Sequence, residues 1–362
     1  MWGHSGRLPH VLSPRSYHDP AIHAREVERL FAPRWHCVAT LDALRTPGDF
    51  VTVELFDQPV LVRNCDGELR AFQNICAHRH SVLVSATRGT SARIRCQYHG
   101  WEYDADGRTC RVPDARSFVP IRRGSEGLRV FRAAACGQLV FVSLADHGPG
   151  LREELGAHTW ELIEQRFSAA HTETAAWTIE HAANWKVVVE NSLEGYHLPV
   201  VHPRSLRKLS SEHSSTHVFD PQFTSLENTI PPGGAAMTWV AERWSGQPSR
   251  GYRHHLAYPS LMLALTDVSS MTQVVVPTSP TTCRSLVWSF VHRGDGRWLP
   301  RVLAPILGRV VNRFTRQVQR EDNAMFPNIQ RGLQSSSHPG VIGAREERVH
   351  GFQRYVERAL QS

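Results

Sequence analysis

With 362 residues, 41% of them hydrophobic and 21% charged, the chain is long enough for two domains and has the composition of an ordinary globular protein. The formal net charge is +7, and 41 Lys and Arg are interspersed with 34 Asp and Glu rather than gathered in a block; this argues against nucleic-acid binding and leaves a basic surface suited to an acidic partner. No apolar run reaches the roughly 18 residues of a membrane span, the first ten residues lack the apolar centre of a secretory signal, and seven Cys form an odd set with no small-scaffold framework, so a cytoplasmic protein in a reducing compartment is expected.

Residues 1–35 begin irregularly. Asp19-Pro20 then predicts an amphipathic helix, with Asp as N-cap, Pro in the first turn, and Ile22, Val27, Leu30 and Phe31 on one side. From Trp35 to about residue 145 the pattern is short strands between turns. Val51 to Leu55 alternates, Pro59 to Arg63 is an apolar run, Asn64-Cys-Asp-Gly supplies a hairpin turn, and Leu139 to Leu144 closes the section as a buried strand. Gly148-Pro149-Gly150 is the strongest boundary signal. Beyond it, Leu151 to Phe167 reads as a helix and Glu173 to Ala183 as a strand. Residues 203–255, rich in Ser, Pro, Gly and His, read as long cavity-lining loops. Strands recur at Leu261 to Leu265, Met271 to Val276 and Cys283 to His292, and Leu303 to Ile329 and Glu346 to Leu360 read as helices. The expected organisation is α+β in three parts: a helical segment at 1–35, an all-β section at 36–148 and a mixed section at 149–362.

Within the β section, Cys76-Ala-His78 and Cys96-Gln-Tyr-His99 form two short loops, each offering one thiol and one imidazole. Two Cys and two His can hold a structural zinc, but zinc fingers usually pair Cys with Cys and His with His. The interleaved order here suits a [2Fe-2S] cluster in which two His replace two Cys on one iron.

In the stretch from Asn184 to His202, Glu194 and His197 are three residues apart, so on a helix they leave the same face. His202 follows five residues after His197, and Pro199 between them interrupts the regular turn. A distorted turn there brings both imidazoles to one point. Two His and a carboxylate from elsewhere make the three-point face that holds Fe(II) and leaves positions open for dioxygen.

The flanks of these motifs carry a resemblance. Asn74-Ile-Cys-Ala-His-Arg-His and Cys96-Gln-Tyr-His-Gly-Trp-Glu-Tyr-Asp-Ala-Asp-Gly-Arg resemble the Rieske segments of ring-hydroxylating and N-demethylating oxygenases, with His80 in place of the usual Gly and Gln97 in place of the usual Pro. Ser81 and Tyr98 stand where respiratory Rieske proteins carry disulfide cysteines, which favours the oxygenase branch. Asn184-Trp-Lys, Glu190-Asn191 and the Glu194, His197, His202 spacing are similar to the catalytic signature of Rieske oxygenase α subunits, and the likeness runs from Asp19 to about Gly332.

The resemblance implies an all-β Rieske domain with a [2Fe-2S] cluster on Cys76, His78, Cys96 and His99. It also implies a helix-grip catalytic domain with an antiparallel sheet, holding a mononuclear Fe(II) on His197 and His202 with Asn191 close by. Gln319 to Gly332 resembles the family's late helix, in which Asp322 completes the iron site; Glu321 is its competitor, and a charged helix face is the plain reading of both. Glu194 corresponds to the acid that links a cluster His, here His99, to the iron His of a neighbouring subunit, here His197, so a homotrimer is expected. Glu at that position, where Asp is usual, resembles the branch acting on carnitine-like quaternary amines.

The function implied is a terminal oxygenase that takes dioxygen as co-substrate. Electrons come from NAD(P)H through a separate reductase or ferredoxin, because the chain lacks a Gly-rich dinucleotide motif and a second set of cluster cysteines. The product is a hydroxylated or N-demethylated small organic molecule. Aromatic-ring cis-dihydroxylation is the alternative, and an electron-transfer protein that keeps only the cluster is a reading from another class. Trp239, Trp244, Tyr252 and Tyr258 suit a cage for a quaternary ammonium, an aromatic pocket, or plain core.

Overall fold

The computed structural model describes residues 6–122, 124–203, 205–206, 215–228, 234–246, 248–294 and 298–361. The chain divides into two compact units, Ala32–Glu154 and a second formed by Met1–Phe31 with Leu155–Ser362.

The first unit is all-β. Strands β1 (Trp35–Thr40), β2 (Asp49–Leu55), β3 (Gln58–Cys65), β4 (Glu68–Gln73), β5 (Arg88–Thr90), β9 (Val130–Cys136) and β10 (Leu139–Ser143) form an antiparallel sheet ordered β1-β10-β9-β4-β3-β2-β5. β6 (Ile94–Arg95), β7 (Glu102–Tyr103) and β8 (Thr109–Arg111) form a smaller one. The expected hairpin joins β3 to β4. Asp66 and Gly67 both have positive φ (54° and 98°), as a tight primed turn requires, and the Asn64 side chain accepts from the Gly67 amide at 2.7 Å. Phe50, Leu61, Phe72, Leu83, Ile94, Trp101, Tyr103 and Leu128 pack into one core, and Cys76 and Cys96 are buried within it. Gly107, at φ 78°, closes a turn against that core; a Cβ there would stand 2.8 Å from the Phe72 ring.

The second unit is built on an antiparallel sheet of β11 (His171–His181), β12 (Ser215–Phe219), β13 (Phe223–Asn228), β14 (Tyr252–Ala257), β15 (Leu261–Leu265), β16 (Ser269–Ser279) and β17 (Thr282–His292), ordered β11-β17-β16-β15-β14-β13-β12. Its helices are α1 (Pro20–Glu26), most of α2 (Leu151–Arg166, which begins in the first unit), α3 (Trp185–Ser192), α4 (Leu198–Val201), α5 (Gly234–Ser245), α6 (Trp298–Asn323), α7 (Phe326–Ser335) and α8 (Glu347–Gln361). Asp19 caps α1 by accepting from the Ala21 and Ile22 amides at 2.8 and 3.1 Å. A wider π turn, Val27–Phe31, follows and buries Leu30 and Phe31 completely.

Three expectations are corrected. Residues 203–255 hold three strands and α5 among those described, because polar residues there, Ser215, Thr224, Ser225, His254 and His255, are buried within the sheet rather than marking loops. The helix expected from Leu303 to Ile329 is two helices: α6 ends at Asn323, and Pro327, which cannot donate within a helix, sits in the first turn of α7. The helix at Leu151 is broken at Gly156 (φ 70°, ψ 162°).

The Asn-Trp-Lys triplet has a packing explanation. Asn184 caps α3 by accepting from the Lys186 amide at 3.0 Å, and its own amide donates to Gln330 of α7 at 2.8 Å. Trp185 lies edge-on to Phe31 and Phe352 and donates its indole N–H to Glu26 at 2.8 Å. The Lys186 ammonium meets the other Glu26 oxygen at 2.6 Å, with both side chains fully buried. These residues fasten the N-terminal segment to the helix that leads into the His197 region.

Burial also holds several imidazoles neutral. It pushes His171 and His255 down to about 3, and His254 down as well, each also facing a neighbouring positive or imidazole group. His255 is satisfied as a neutral ring by Thr159 at 3.0 Å and Ser225 at 2.7 Å. A His with a depressed folded-state pKa contributes stability that is complete above the unfolded value near 6.5 and is lost as pH falls toward 3, because only the unfolded chain takes up the proton. Denaturant midpoints are therefore expected to fall from pH 6.5 to 5.5, by roughly 1 kcal/mol for each of His171 and His255. His255→Gln should flatten the slope, and an unchanged slope would remove this account.

Candidate metal centres

The two loops expected to hold a cluster share one backbone plan. The Cys76 amide donates to Ser81 O and the Cys96 amide to Trp101 O, both at 2.8 Å, while their carbonyls accept from His80 at 3.1 Å and Gly100 at 3.0 Å. The two residues that close the loops, His80 and Gly100, have φ of 58° and 71°. The resemblance marked His80 as a departure from Gly, and the structure gives the reason: the position needs a left-handed conformation. His80→Gly is expected to raise the stability of the β unit by about 1 kcal/mol without altering its visible spectrum. A lower melting temperature would count against it.

The loops bring their side chains together. The His78 and His99 ring centroids are 4.7 Å apart, and the His78 ring stacks flat on Trp101 at 4.9 Å. Cys76 Sγ lies 3.1 Å from the Tyr103 hydroxyl, which also accepts from the Ala77 amide at 3.0 Å. Burial, together with the adjacent Cys96, pushes the Cys76 thiol up, so a bare thiolate is disfavoured here and one bound to metal is not. The buried Nδ1 of His78 has no hydrogen-bond partner. Two buried sulfurs, an orphaned imidazole nitrogen and a second imidazole are a donor set that fits a [2Fe-2S] cluster. Gln97 donates to Ser85 at 2.8 Å and Val82 O at 3.3 Å, tying the second loop to the segment after the first.

In the other unit, α3 ends at Ser192, the chain turns through Glu194, and α4 separates His197 from His202. Pro199 stands in the first turn of that short helix. The result is that both imidazoles face the last turn of α6. One ligating atom each from His197, His202 and Asp322 lies within 4.8 Å of the other two. His202 Nε2 and His197 Nε2 are 2.9 and 3.5 Å from Asp322 Oδ1. The closer approach lacks the angles of a hydrogen bond, so buried His202 Nε2 and Asp322 Oδ1 are left without partners.

Each imidazole is backed on its other nitrogen by its own carboxylate. His197 Nδ1 bonds Glu194, whose second oxygen accepts from the Tyr196 and His197 amides. His202 Nδ1 bonds Glu321 at 2.7 Å, and Glu321 is held in turn by Ser205 at 2.7 Å and Gln317 at 2.8 Å. A carboxylate on Nδ1–H fixes the tautomer that leaves the Nε2 lone pair free. Glu321 and Asp322 are thus separated by geometry: Glu321 sits behind His202, and Asp322 sits between the two rings.

The electrostatics favour positive charge among these atoms. Burial alone would keep His197 neutral, but Asp322 and Glu194 raise it to about 9. Burial likewise opposes ionised Asp322, yet His197, His202 and the nearby Asn191 side chain hold its carboxyl down at about 2. Two Nε2 positions, an orphaned carboxylate oxygen and a demand for cationic charge fit a divalent metal with open positions.

Among the described residues no ring contact joins any two of Trp239, Trp244, Tyr252 and Tyr258, as a cage would require. Trp239 is exposed on α5, Trp244 donates to His292 O at 2.8 Å, and Tyr258 stacks on Tyr355 at 4.2 Å. Sequence reading also missed Gln317 and Ser205: Gln317 is four residues from Glu321 on α6, a spacing that could have suggested the contact, whereas Ser205 is 116 residues away and has no local signal.

Among the described residues, no helix is long and apolar enough to cross a membrane. Residues 34–131 match the Rieske [2Fe-2S] domain, which implies a [2Fe-2S] cluster, and residues 168–362 match the catalytic domain of the ring hydroxylating alpha subunit, which implies a mononuclear iron. The glycine betaine monooxygenase oxygenase subunit of Chromohalobacter salexigens is 32% identical over 216 residues, 59% of this chain and 47% of that protein, so the match spans about half the relative's length. The chloroplastic choline monooxygenase of Arabidopsis thaliana is 27% identical over 354 residues, covering 93% of this chain and 79% of that protein. Among solved structures, the quaternary ammonium Rieske monooxygenase CntA with L-carnitine superposes with TM-score 0.79 at 18% identity, covering 97% and 95% of the two chains. Naphthalene 1,2-dioxygenase with indole gives 0.78 at 20%, covering 97% and 92%; both likenesses concern the fold. With the catalytic-domain match extending over more than half of its length, the chain belongs to the ring hydroxylating alpha subunit family.

Proposed function

We propose that the chain is the terminal oxygenase component of a multicomponent Rieske system acting on a small quaternary amine. The observation that carries this is the pair of imidazole Nε2 atoms facing Asp322 Oδ1, each ring fixed from behind by a separate carboxylate. Cys76, His78, Cys96 and His99 would hold the cluster, and His197, His202 and Asp322 the mononuclear iron. Iron bound there would supply activation of dioxygen. For an N-methyl group the overall balance is one dioxygen, two electrons and two protons consumed, giving water and an N-hydroxymethyl product that loses its aldehyde to leave the amine.

The residues around the metal set its geometry. Glu194 and Glu321 hold the two rings with Nε2 presented, and Asn191 lies close enough to Asp322 to favour its ionised form. In a head-to-tail homotrimer Glu194 also links His197 to His99 of the next subunit, the role its place in the family motif suggests. Electrons come from NAD(P)H through a separate reductase or ferredoxin, and the site of action is the cytoplasm. The names of the glycine betaine and choline relatives, and Glu at 194, support a compact quaternary ammonium substrate.

The test is oxygen uptake by the iron-reconstituted protein with a surrogate reductase, offered glycine betaine, choline, carnitine or naphthalene. Uptake stimulated by a quaternary amine, with about three irons per chain, is expected. Stimulation by naphthalene alone would favour ring dihydroxylation, and two irons with no uptake would leave a simple electron-transfer protein.

A further inference from the structure

Asp322 lies on the last turn of a 26-residue helix, so the place of its carboxylate depends on how that turn is rotated about the helix axis. Sites of this kind require ligands held within about 0.5 Å. The upper part of α6 is seated by small residues: Gly308 lies against Thr174, where a Cβ would be only 2.5 Å away, and Asn312 bonds Thr174 at 3.2 Å. Neither fixes the far end.

The far end is fixed by a continuous series of side-chain hydrogen bonds beneath the metal site. The Trp177 indole donates to Gln319 at 3.0 Å, Gln319 to Gln273 at 3.1 Å, and Gln273 to the Ser285 hydroxyl at 2.9 Å. Ser285 lies 2.8 Å from His181 Nε2, and His181 Nδ1 lies 2.6 Å from Asn323 Oδ1. The Asn323 amide then donates to Glu180 O at 3.3 Å. The directions close on one assignment: Ser285 O–H donates to Nε2, and Nδ1–H donates to Asn323. Between the Trp177 indole, which only donates, and the Glu180 carbonyl, which only accepts, each side chain in the series both gives and accepts. A neutral His181 is required, and burial holds the ring below its ordinary value.

Gln319 and Asn323 are four apart on one face of α6, so both ends of the final turn are tied to β11, β16 and β17 while Asp322 points elsewhere. His181 is also the last residue of β11, three before the Asn184 cap of α3. One residue therefore refers the helix bearing Asp322 to the junction that launches the segment bearing His197 and His202.

We propose that His181 and Asn323 are positioning residues for the mononuclear site, setting the rotation of the last turn of α6 so that Asp322 meets the two imidazoles. This rests on the metal-site reading above. The experiment titrates Fe(II), and Co(II) as a spectroscopic probe, into full-length protein with an intact cluster. His181→Ala and Asn323→Ala are expected to weaken metal binding about ten- to hundredfold and to change the Co(II) ligand-field spectrum, with the cluster's visible spectrum unchanged. Asn323→Asp, which still accepts from Nδ1–H, should recover affinity to within a few-fold of wild type. Wild-type affinity in both Ala variants overturns the proposal while leaving the metal site standing. Failure of Asn323→Asp to recover, with the cluster spectrum also lost, makes the role merely structural and overturns it as well. If the unaltered protein takes up no metal beyond the cluster, the metal-site reading fails and this inference with it.

Discussion

Replacing Asp322 by Ala is expected to lower the iron content from about three to about two per chain and to reduce substrate-dependent oxygen uptake by at least roughly a thousandfold, with the cluster's visible spectrum intact. The reason is that, among the described residues, Asp322 contributes the only anionic oxygen between the two Nε2 atoms, 2.9 and 3.5 Å away. Without it, two neutral imidazoles remain, a weak face for a hard dication. Glu321→Gln provides the contrast. Glu321 touches His202 only through Nδ1, so its loss removes orientation and basicity rather than a ligand. Metal affinity should fall about ten- to hundredfold and recover at high Fe(II). If Glu321→Gln abolished iron binding and Asp322→Ala did not, the two assignments would be reversed. The metal-free site also favours protonation of His197, raised to about 9, so metal uptake should release protons and weaken as pH falls.

The second large effect concerns stability. Glu26→Ala is expected to cost about 3 to 5 kcal/mol, read as a shift in the urea midpoint with unchanged slope. The substitution strands the Lys186 ammonium in a fully buried position and removes the partner of the Trp185 indole. Burial already pushes the Lys186 pKa down, and Glu26 opposes that. The double variant Glu26→Leu with Lys186→Met should regain most of the loss, since replacing both charges removes the desolvation cost along with the attraction. A double variant no better than the single one would show that packing around Trp185, rather than the stranded charge, carries the effect.

Much of the architecture can be read locally. Asp19-Pro20 starts a helix and Asp66-Gly67 turns a hairpin because caps and primed turns depend on a few adjacent residues. The apolar run at Leu139 to Ser143 follows from a strand buried on both faces. The same locality misled at 203–255, where polar residues are buried in the sheet, and at Leu303 to Ile329, where one helix was expected and Pro327 instead stands in the first turn of a second.

By itself the sequence determined the donor chemistry: interleaved Cys and His in two short loops, and paired His around Pro199, because spacing within a loop is a local property. Only the tertiary structure separates Glu321 from Asp322 in space, since adjacent residues on one helix turn are told apart by what they face, here His202 Nδ1 and the gap between two Nε2 atoms. It alone showed why Asn-Trp-Lys is present, through Glu26, and that His181 reaches Asn323. Those contacts join positions about 140 to 160 residues apart, and a pairing over that distance leaves no trace in the sequence around either partner.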